Sequence, residues 1–288
     1  MPNLPSNPTF AQALAFANAH SSDRADAEIL LAHVVQCNRA RFFAFPEQNL
    51  TAAQTTEFSK LVCARATGQP VAYLTGEREF YGLRFAVNAS VLIPRPETEL
   101  LVELALSLLR NTESFALDLG TGSGAIACAL AKSCAGLQVL ATDASASALA
   151  IAKSNADALG LTQVQFYQGS WFAAVPAGLQ FDVIVSNPPY LDADDPHLQQ
   201  GDLRFEPRTA LTPADSTAGL ADLQHIIDSA PRYLKPGAWL LLEHGYSQAS
   251  AVRAHLSRCG YTDIATLRDY SELDRVSYGR CFGQFSGS

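Results

Sequence analysis

A short apolar strand, a glycine turn and a helix of small residues follow one another at residues 115–131, and few folds accept that order. The run Phe115 to Leu119 predicts the strand, and Gly120, Gly122 and Gly124 predict the turn. Glycines there permit a tight turn and let the backbone come close to a ligand, because a Cβ would block either. The segment therefore predicts the start of a ligand-binding α/β sheet.

The rest of the chain continues this alternation of strands and helices. A helix is predicted from Ala146 to Leu159, and the strands are predicted at 115–119, 137–142, 163–167, 181–186, 237–243, 262–267 and 275–283. Parallel strands joined by helices form a doubly wound sheet, and the last two strands are predicted to close it as an antiparallel hairpin. The predicted fold class is α/β.

The amino-terminal region has a different pattern. Helical spacing of apolar residues predicts helices from Phe10 to His20, Arg24 to Gln36 and Thr51 to Thr67, with a short one around Phe42, Phe43 and Phe45 that Pro46 ends. Alternation from Glu77 to Asn88 predicts a hairpin, and Pro94 and Pro96 precede a helix predicted from Glu97 to Leu109. We expect a helical domain at 1–75, a hairpin connector at 76–95 and a ligand-binding domain at 96–288.

Composition narrows the class of protein. A net charge of −8 disfavours a general nucleic-acid binder, although Arg39, Arg41, Arg204 and Arg208 are numerous enough for a local basic patch. We expect them to be ordinary surface charges. No unbroken apolar stretch approaches the 18 residues of a membrane span, and the start of the chain lacks a secretion-signal pattern. We expect a cytoplasmic monomer that binds neither membrane nor nucleic acid.

Cysteine and histidine usage gives no metal pattern. The six cysteines show no C-x-x-C, several lie in apolar runs, and they predict buried free thiols in a reducing compartment. No two of the six histidines are four residues apart, and none is paired with a cysteine at the spacing that we associate with zinc. We predict no metal site.

The motif Asn187-Pro188-Pro189-Tyr190 follows the apolar run from Phe181 to Ser186. Open α/β sheets bind ligands at the carboxyl ends of their strands, and this motif places a rigid amide, bare carbonyls and an aromatic ring there. Proline lacks an N–H and restricts φ, so the carbonyls of Asn187 and Pro188 are left without regular partners. The motif predicts a site for a flat, NH2-bearing target; the alternative is a turn that only ends a buried strand.

Asp143 comes at the end of the strand after the glycine turn, where a carboxylate binds the ribose hydroxyls of a nucleoside. The alternative is a cap of the following helix, a role that Ser145 could also fill. Gly120, Gly122 and Ala125 also fit the dinucleotide pattern, so the turn alone does not select the cofactor. The amide-proline clamp and the lack of histidine at these strand ends favour methyl transfer from S-adenosylmethionine over hydride transfer.

Two further residues have open interpretations. Asp118 is available for the ammonium group of S-adenosylmethionine or for amides of the glycine loop. Trp171 follows the strand that ends at Tyr167, where its ring could lie against adenine. The alternative is that Trp171 and Phe172 are core aromatics.

Seven segments together resemble the HemK-type release factor N5-glutamine methyltransferases. Besides the turn from Asp118 to Gly124, Asp143 and the motif Ser186-Asn-Pro-Pro-Tyr190, they are Gln69 to Gly76, Phe80 to Gly82, Ile93 to Glu99 and Gly201 to Pro207. The resemblance implies a class I S-adenosylmethionine-dependent methyltransferase with a Rossmann-like, mostly parallel seven-stranded sheet and a small helical domain. It also implies methylation of the glutamine in the Gly-Gly-Gln motif of peptide chain release factors 1 and 2.

The resemblance and the residues together suggest the site. We assign cofactor binding to Asp118, Gly120, Thr121, Gly122, Ser123, Gly124, Asp143, Trp171 and Asn187. Catalysis is assigned to Asn187, Pro188 and Tyr190, and substrate binding to these three with Pro189. The long stretch from Leu191 to Ala218 predicts a substrate-facing loop with Asp202, Arg204 and Glu206 as candidate contacts, and Arg95 lies in a recognised motif.

Two other methyltransferase functions stay open. Asn-Pro-Pro-Tyr is shared with DNA adenine N6-methyltransferases, and a sibling enzyme class modifies a glutamine of a ribosomal protein. A protein that only binds S-adenosylmethionine or a partner is disfavoured, because every motif position needed for turnover is filled.

Overall fold

A computed structural model describes residues 4–20, 23–109, 114–213 and 219–282. The described residues form two compact units. One contains the residues up to Glu77 together with Gln199–Phe205, and the other contains Arg78–Leu198 and the residues from Glu206 onward. The domain boundaries expected at 75 and 95 stay predictions.

The first unit is helical, as the apolar spacing predicts. Its core is built on Phe10 and Phe58, and Asp23 and Thr51 cap the second and fourth helices with their side chains. Thr51 and Gln54 form a reciprocal capping box, which defines where the fourth helix begins. The helices are α1 (Phe10–His20), α2 (Arg24–Val35), α3 (Ala40–Ala44), α4 (Ala52–Ala66) and α5 (Val71–Thr75).

The segment Gln199–Phe205 belongs to this unit although it lies far along the chain. Arg65 donates from Nε to Asp26 at 2.6 Å and from Nη1 to Asp202 at 3.1 Å. Arg204 donates to the carbonyl oxygen of Thr67 and stacks on Phe205. Asp202 and Arg204 are thus engaged within the unit, and their role in substrate contact stays a prediction.

The second unit is built on a seven-stranded sheet. Its strands are β3 (Phe115–Leu119), β4 (Gln138–Asp143), β5 (Val164–Gln168), β6 (Phe181–Ser186), β7 (Leu234–Glu243), β8 (Thr262–Arg268) and β9 (Asp274–Arg280). They lie in the order β5-β4-β3-β6-β7-β9-β8. The first five strands of this order are parallel, and β9 runs antiparallel to β7 and β8, so the predicted doubly wound sheet and its closing hairpin are confirmed.

Apolar side chains cover both faces of the sheet, since successive residues of a strand point to opposite sides. Ala116 of β3 belongs to one buried cluster and Leu117 to the other. The helices of this unit are α6 (Glu99–Leu108), α7 (Ala125–Ser133), α8 (Ala146–Leu159), α9 (Arg208–Leu211), α10 (Ala221–Ser229) and α11 (Ala249–Arg258).

Most predicted bounds differ from the structure by one to three residues, while α1, α8, β3 and β6 agree fully. The helix predicted from Glu97 begins instead as a 3-10 turn, Pro96–Thr98, before α6. The last residue of the strand predicted at 275–283 lies outside the described residues. In the described ranges no helix combines the length and the apolar character that crossing a bilayer requires.

The prediction that the cysteines are buried is only partly right. Cys128 and Cys281 are buried, but Cys63 is exposed and the others are half-buried. Helix α4 turns Leu61 and Val62 toward the core, so the next residue faces solvent. An apolar run in sequence did not identify the buried face of this helix.

A hairpin of β1 (Glu77–Phe80) and β2 (Leu83–Ala86) is tied to the glycine turn by one buried amide. Asn155 of α8 accepts from the Ala86 amide at 2.7 Å and donates to the carbonyl oxygens of Ala86 at 3.0 Å and Ser123 at 2.9 Å. The turn between the strands places Tyr81 and Gly82 at positive φ. This single side chain joins the predicted connector to the loop that lines the site.

We expect Asn155→Ala to lower the free energy of unfolding by about 2–4 kcal/mol, because three backbone groups lose their partner. Asn88→Ala is the matched control, since Asn88 is exposed and its side chain accepts from the Ser90 amide two residues on. Urea unfolding of both variants measures the difference. Equal stabilities of the two variants would contradict the role assigned to Asn155.

Candidate active site

The sheet reverses its strand order at β3, because β4 and β5 lie on one side of it while β6 and β7 lie on the other. A crevice opens at such a switch point, outside the carboxyl ends of the strands. Ser186 Oγ at the end of β6 donates to the Leu119 carbonyl oxygen at the end of β3, at 2.8 Å within the core. This bond joins the two strand ends from which the glycine turn and the Asn-Pro-Pro-Tyr motif depart.

A cavity of about 610 Å³ lies at this edge of the sheet. Its lining brings together predicted residues from four strand ends: Gly120 and Gly122 after β3, Asp143 at the end of β4, Trp171 after β5, and Asn187 and Pro189 after β6. Thr121, Ser123 and Gly124 are buried within the turn itself, and Pro188 is buried as well.

The glycine turn depends on its missing side chains. Gly120, Gly122 and Gly124 all have positive φ, between 56° and 80°. A Cβ on Gly120 would lie 3.2 Å from the Trp171 ring, and one on Gly124 would lie 3.1 Å from the Ala152 methyl group. A side chain at these positions would therefore reduce the space beneath the turn and would also strain the backbone.

Asp118 holds the turn from within the core. Its Oδ2 accepts from Thr121 Oγ1 at 2.6 Å and from the Ala127 amide in the first turn of α7 at 3.2 Å, and the residue is fully buried. Of its two predicted roles, the structure shows contact with the loop. Burial raises the pKa of this carboxyl to about 7, against the opposing effect of the two donors.

Asp143 accepts from two backbone amides, Gly122 N at 2.9 Å and Ser145 N at 2.8 Å. Helix α8 is capped instead by Ser145, whose hydroxyl accepts from the Ala148 amide at 3.2 Å, so Asp143 is not its cap. Each carboxylate oxygen has a second lone pair, and Asp143 is half-buried on the cavity lining. It can accept further hydrogen bonds there.

The two aromatic residues after β5 differ in environment. Trp171 has φ of 47° and lines the cavity. Phe172 is buried and stacks on Tyr233 at 4.6 Å between ring centroids, so the core interpretation applies to it. Trp171 is half-buried and also packs against a buried apolar cluster, so its place against adenine stays a prediction and the core interpretation stays open.

The Asn187 side chain is half-buried, and its Nδ2 donates to Thr98 Oγ1 at 3.2 Å. The Tyr190 hydroxyl donates to Glu243 Oε1 at 3.2 Å, and the Tyr190 carbonyl accepts from Gln248 Nε2 at 2.9 Å. Thr98 and Glu243 were not singled out by the sequence. The sequence nevertheless contained a signal for each as a site residue. Thr98 lies in the recognised segment from Ile93 to Glu99, and Glu243 is the last residue of a predicted strand.

One charged residue of the long loop, Glu206, is engaged inside the fold. Glu206 was expected as a loop contact, but its side chain has 0% exposure and accepts from Arg95 at 2.6 Å, so it does not reach the surface. The residues considered for a basic patch have partners of their own: Arg41 stacks on Phe45, and Arg208 donates to the Ala193 carbonyl at 3.4 Å.

One group of potential metal ligands lies elsewhere. Asp228, His255 and Cys259 bring their ligand atoms within 4.8 Å of one another. The spacing argument overlooked His255 and Cys259, which are four residues apart. Asp228 is hydrogen-bonded to His255 Nε2 at 2.7 Å and to Cys259 at 3.1 Å, while Arg258 lies 2.7 Å from His255 Nδ1. That nearby cation disfavours a metal ion, and the absence of a metal site stays a prediction.

Comparison with known proteins gives a consistent result. Residues 9–76 match the PrmC N-terminal domain family, and residues 97–201 match the methyltransferase small domain family. The chain is 49% identical over 267 residues to the release factor glutamine methyltransferase of Shewanella oneidensis, across 92% of each chain. It is 47% identical over 271 residues to that of Escherichia coli, across 94% of this chain and 97% of the other.

Solved structures support the fold. A methyltransferase from Pyrococcus furiosus superposes with a TM-score of 0.54 at 19% identity, over 71% of this chain and 91% of the other. A doubly wound seven-stranded sheet with these groups at its switch point is that of a class I S-adenosylmethionine-dependent methyltransferase. With about half of its residues identical to relatives over more than nine-tenths of its length, the chain belongs to the release factor glutamine methyltransferase family.

The predicted resemblance and the predicted cofactor, S-adenosylmethionine, are confirmed by this membership, and the nicotinamide alternative is wrong. The described residues fit that cofactor. The missing Cβ of Gly120 leaves a cradle beside the Trp171 ring, and Asp143 keeps acceptor capacity on the same cavity.

We expect the buried Asp118 carboxyl to make stability depend on pH. Its pKa of about 7 in the folded protein exceeds the ordinary 3.8, so the folded state binds more protons between these values. The stabilising contribution is complete below this window and is lost as pH rises through about 7. Asp118→Asn removes the titration, so the difference in unfolding free energy between wild type and variant should fall with pH by up to about 1.4 kcal/mol per unit.

Urea unfolding of both proteins without added cofactor, repeated across this window, measures that slope. Asp157→Asn, the same change on the exposed face of α8, is the matched control for the loss of a carboxylate. A constant difference between wild type and Asp118→Asn would show that the buried carboxyl does not titrate in this range.

Proposed function

We propose that the protein methylates the side-chain amide nitrogen, N5, of the glutamine in the Gly-Gly-Gln motif of peptide chain release factors 1 and 2. One observation carries the proposal: Asn187 holds its Nδ2 on Thr98, while its Oδ1 has no hydrogen-bond partner among the described residues. A rigid acceptor on the cavity lining suits a carboxamide NH2 group. Membership of the release factor glutamine methyltransferase family supports the choice of target.

The cofactor supplies a methyl group on a positively charged sulfur. We assign its ribose to the Asp143 carboxylate and its adenine to the Trp171 ring, with Gly120 and Gly122 beneath it, because all four line one cavity. Thr121, Ser123 and Gly124 shape the turn, and Asp118 acts by holding that turn.

An amide nitrogen is a weak nucleophile, because its lone pair is delocalised into the carbonyl group. The Asn187 Oδ1 and the Pro188 carbonyl oxygen accept the two N–H bonds of the target and favour the lone pair on nitrogen. Proline at position 189 leaves no N–H there to compete. Tyr190 and Pro189 exclude water from the amide plane.

The bond changes balance without a protein nucleophile. When bound, the cofactor would supply its methyl carbon to the target nitrogen, and the electron pair of the broken carbon–sulfur bond would leave with sulfur. The nitrogen would then carry a positive charge and release one of its protons, because an N-methylated amide that is protonated on nitrogen is strongly acidic and needs no tuned base. Orientation can supply roughly 7–11 kcal/mol of the barrier, and fixed dipoles several more.

We expect Asn187→Ala to lower the turnover of methyl transfer by about two orders of magnitude or more, since it removes one hydrogen bond to the reacting group. Affinity for S-adenosylmethionine, measured by calorimetry on the same preparation, should change little. Turnover near that of wild type would overturn the assignment of Asn187.

Asp143→Asn should weaken S-adenosylmethionine binding by roughly tenfold or more, because a charged hydrogen-bond acceptor is lost and an NH2 group meets a backbone donor. The calorimetric dissociation constant is the measurement. Asp157→Asn, the same change on the exposed face of α8, should leave it unaltered. Equal constants for both variants would remove Asp143 from the cofactor site.

Labelled S-adenosylmethionine offered with a release factor, with ribosomes and with duplex DNA tests the choice of substrate. We expect label only on the release factor, at the glutamine of Gly-Gly-Gln. Label on a ribosomal protein or on adenine would establish one of the two other methyltransferase functions instead. Because release factors act on cytoplasmic ribosomes, we also propose a cytoplasmic location.

A further inference from the structure

The direction of the Asn187 side-chain amide decides what faces the substrate. Its oxygen accepts hydrogen bonds, whereas its nitrogen only donates them. A target NH2 group needs the oxygen. If the Asn187 amide were turned by 180°, its own NH2 group would face the NH2 group of the target, and both would be donors. The structure holds Nδ2 against Thr98 Oγ1 at 3.2 Å, which fixes one of these two orientations.

The Thr98 hydroxyl can accept only because its own proton is used elsewhere. Its Oγ1 donates to Glu243 Oε2 at 2.7 Å, and both residues are buried. A hydroxyl has a single proton, so only lone pairs remain on the side facing Asn187. The reversed amide would place its oxygen against those lone pairs with no proton between them.

Glu243 is placed for this role by the sheet. Parallel pairing of Ser186 with Leu242 makes the next residues, Asn187 and Glu243, neighbours where β6 and β7 end. Glu243 Oε1 accepts from the Tyr190 hydroxyl, so both carboxylate oxygens accept from hydroxyl groups. One buried carboxylate thereby holds the last residue of Asn-Pro-Pro-Tyr directly and the first through Thr98.

The charges around this carboxylate are consistent with donors that point toward it. Burial, and then the charge of Glu243, raises the pKa of Tyr190, so its phenol stays protonated and donates. Burial also raises the pKa of Glu243, while the Thr98 hydroxyl and the positive charge of Arg275 oppose that rise. An ionised Glu243 has no proton to give, so Thr98 donates its single proton to the carboxylate and accepts from Asn187.

We propose that Thr98 and Glu243 are positioning residues that turn the Asn187 oxygen toward the target nitrogen. Asn187 Nδ2 donates to Thr98, and Thr98 donates to Glu243, so the hydrogen bonds have a single direction. This inference rests on the proposed function, in which the Asn187 oxygen accepts an N–H of a carboxamide. It explains why the site selects an NH2-bearing group rather than a hydrogen-bond acceptor.

The test compares Thr98→Val with Thr98→Ser. Valine keeps the volume but removes the hydroxyl, whereas serine keeps the hydroxyl but removes a methyl group. We expect Thr98→Val to lower kcat on a release factor by about tenfold to a hundredfold, with the KM for the release factor unchanged. Thr98→Ser should keep a kcat near that of wild type, and cofactor affinity should hold in both.

A packing role for Thr98 predicts the opposite ranking, with the valine variant active and the serine variant impaired. Turnover is expressed per S-adenosylmethionine-binding site counted by calorimetry, so a partly unfolded sample does not imitate the effect. Thr98→Ala serves as a second variant without a hydroxyl, in case valine disturbs the buried carboxylate. It too should show the loss of kcat.

The outcomes separate the two proposals. A wild-type enzyme without turnover on a release factor would overturn the proposed function and this inference with it. Wild-type turnover together with unimpaired valine and alanine variants would overturn the orienting role of Thr98 alone. Loss in both of these variants with retention in the serine variant supports it.

Discussion

The site depends on the bond that joins Ser186 Oγ to the carbonyl oxygen of Leu119 in the core. Strands β3 and β6 are neighbours although β4 and β5 come between them along the chain, and the sheet reverses its order there. Two segments from distant parts of the sequence therefore leave the sheet side by side. The glycine turn and the Asn-Pro-Pro-Tyr motif can act on one reaction only because of this placement.

Three carboxylates of this edge hold backbone and side chains in place. Asp118 holds the glycine turn from below, Asp143 holds it from the cavity side, and Glu243 holds the motif. The proposed reaction needs orientation and fixed dipoles, and these carboxylates supply the rigidity. Preorganised neutral acceptors in a water-poor site are effective because they need no rearrangement during the reaction.

The sequence predicted most of the sheet and less of its polar network. Apolar runs bounded by glycine or proline predicted β3 and β6 to the residue, but β7 begins earlier than expected because Leu234 pairs with Phe181 before a register shift. The partnership of Thr98 with Glu243 was not predictable, since it joins residues that only the folded sheet brings together. Local periodicity reports which face is apolar and says nothing about such pairs.

The segment Gln199–Phe205 has a consequence for dissecting the protein. It lies within the loop that follows the motif, yet its ion-pair partner Arg65 and its carbonyl partner Thr67 belong to the amino-terminal helices. A fragment that begins at Arg78 would keep the segment and lose both anchors. Deleting the helical region therefore also removes contacts of the chain beyond Tyr190. The properties of the isolated sheet domain would then not represent those of the intact enzyme.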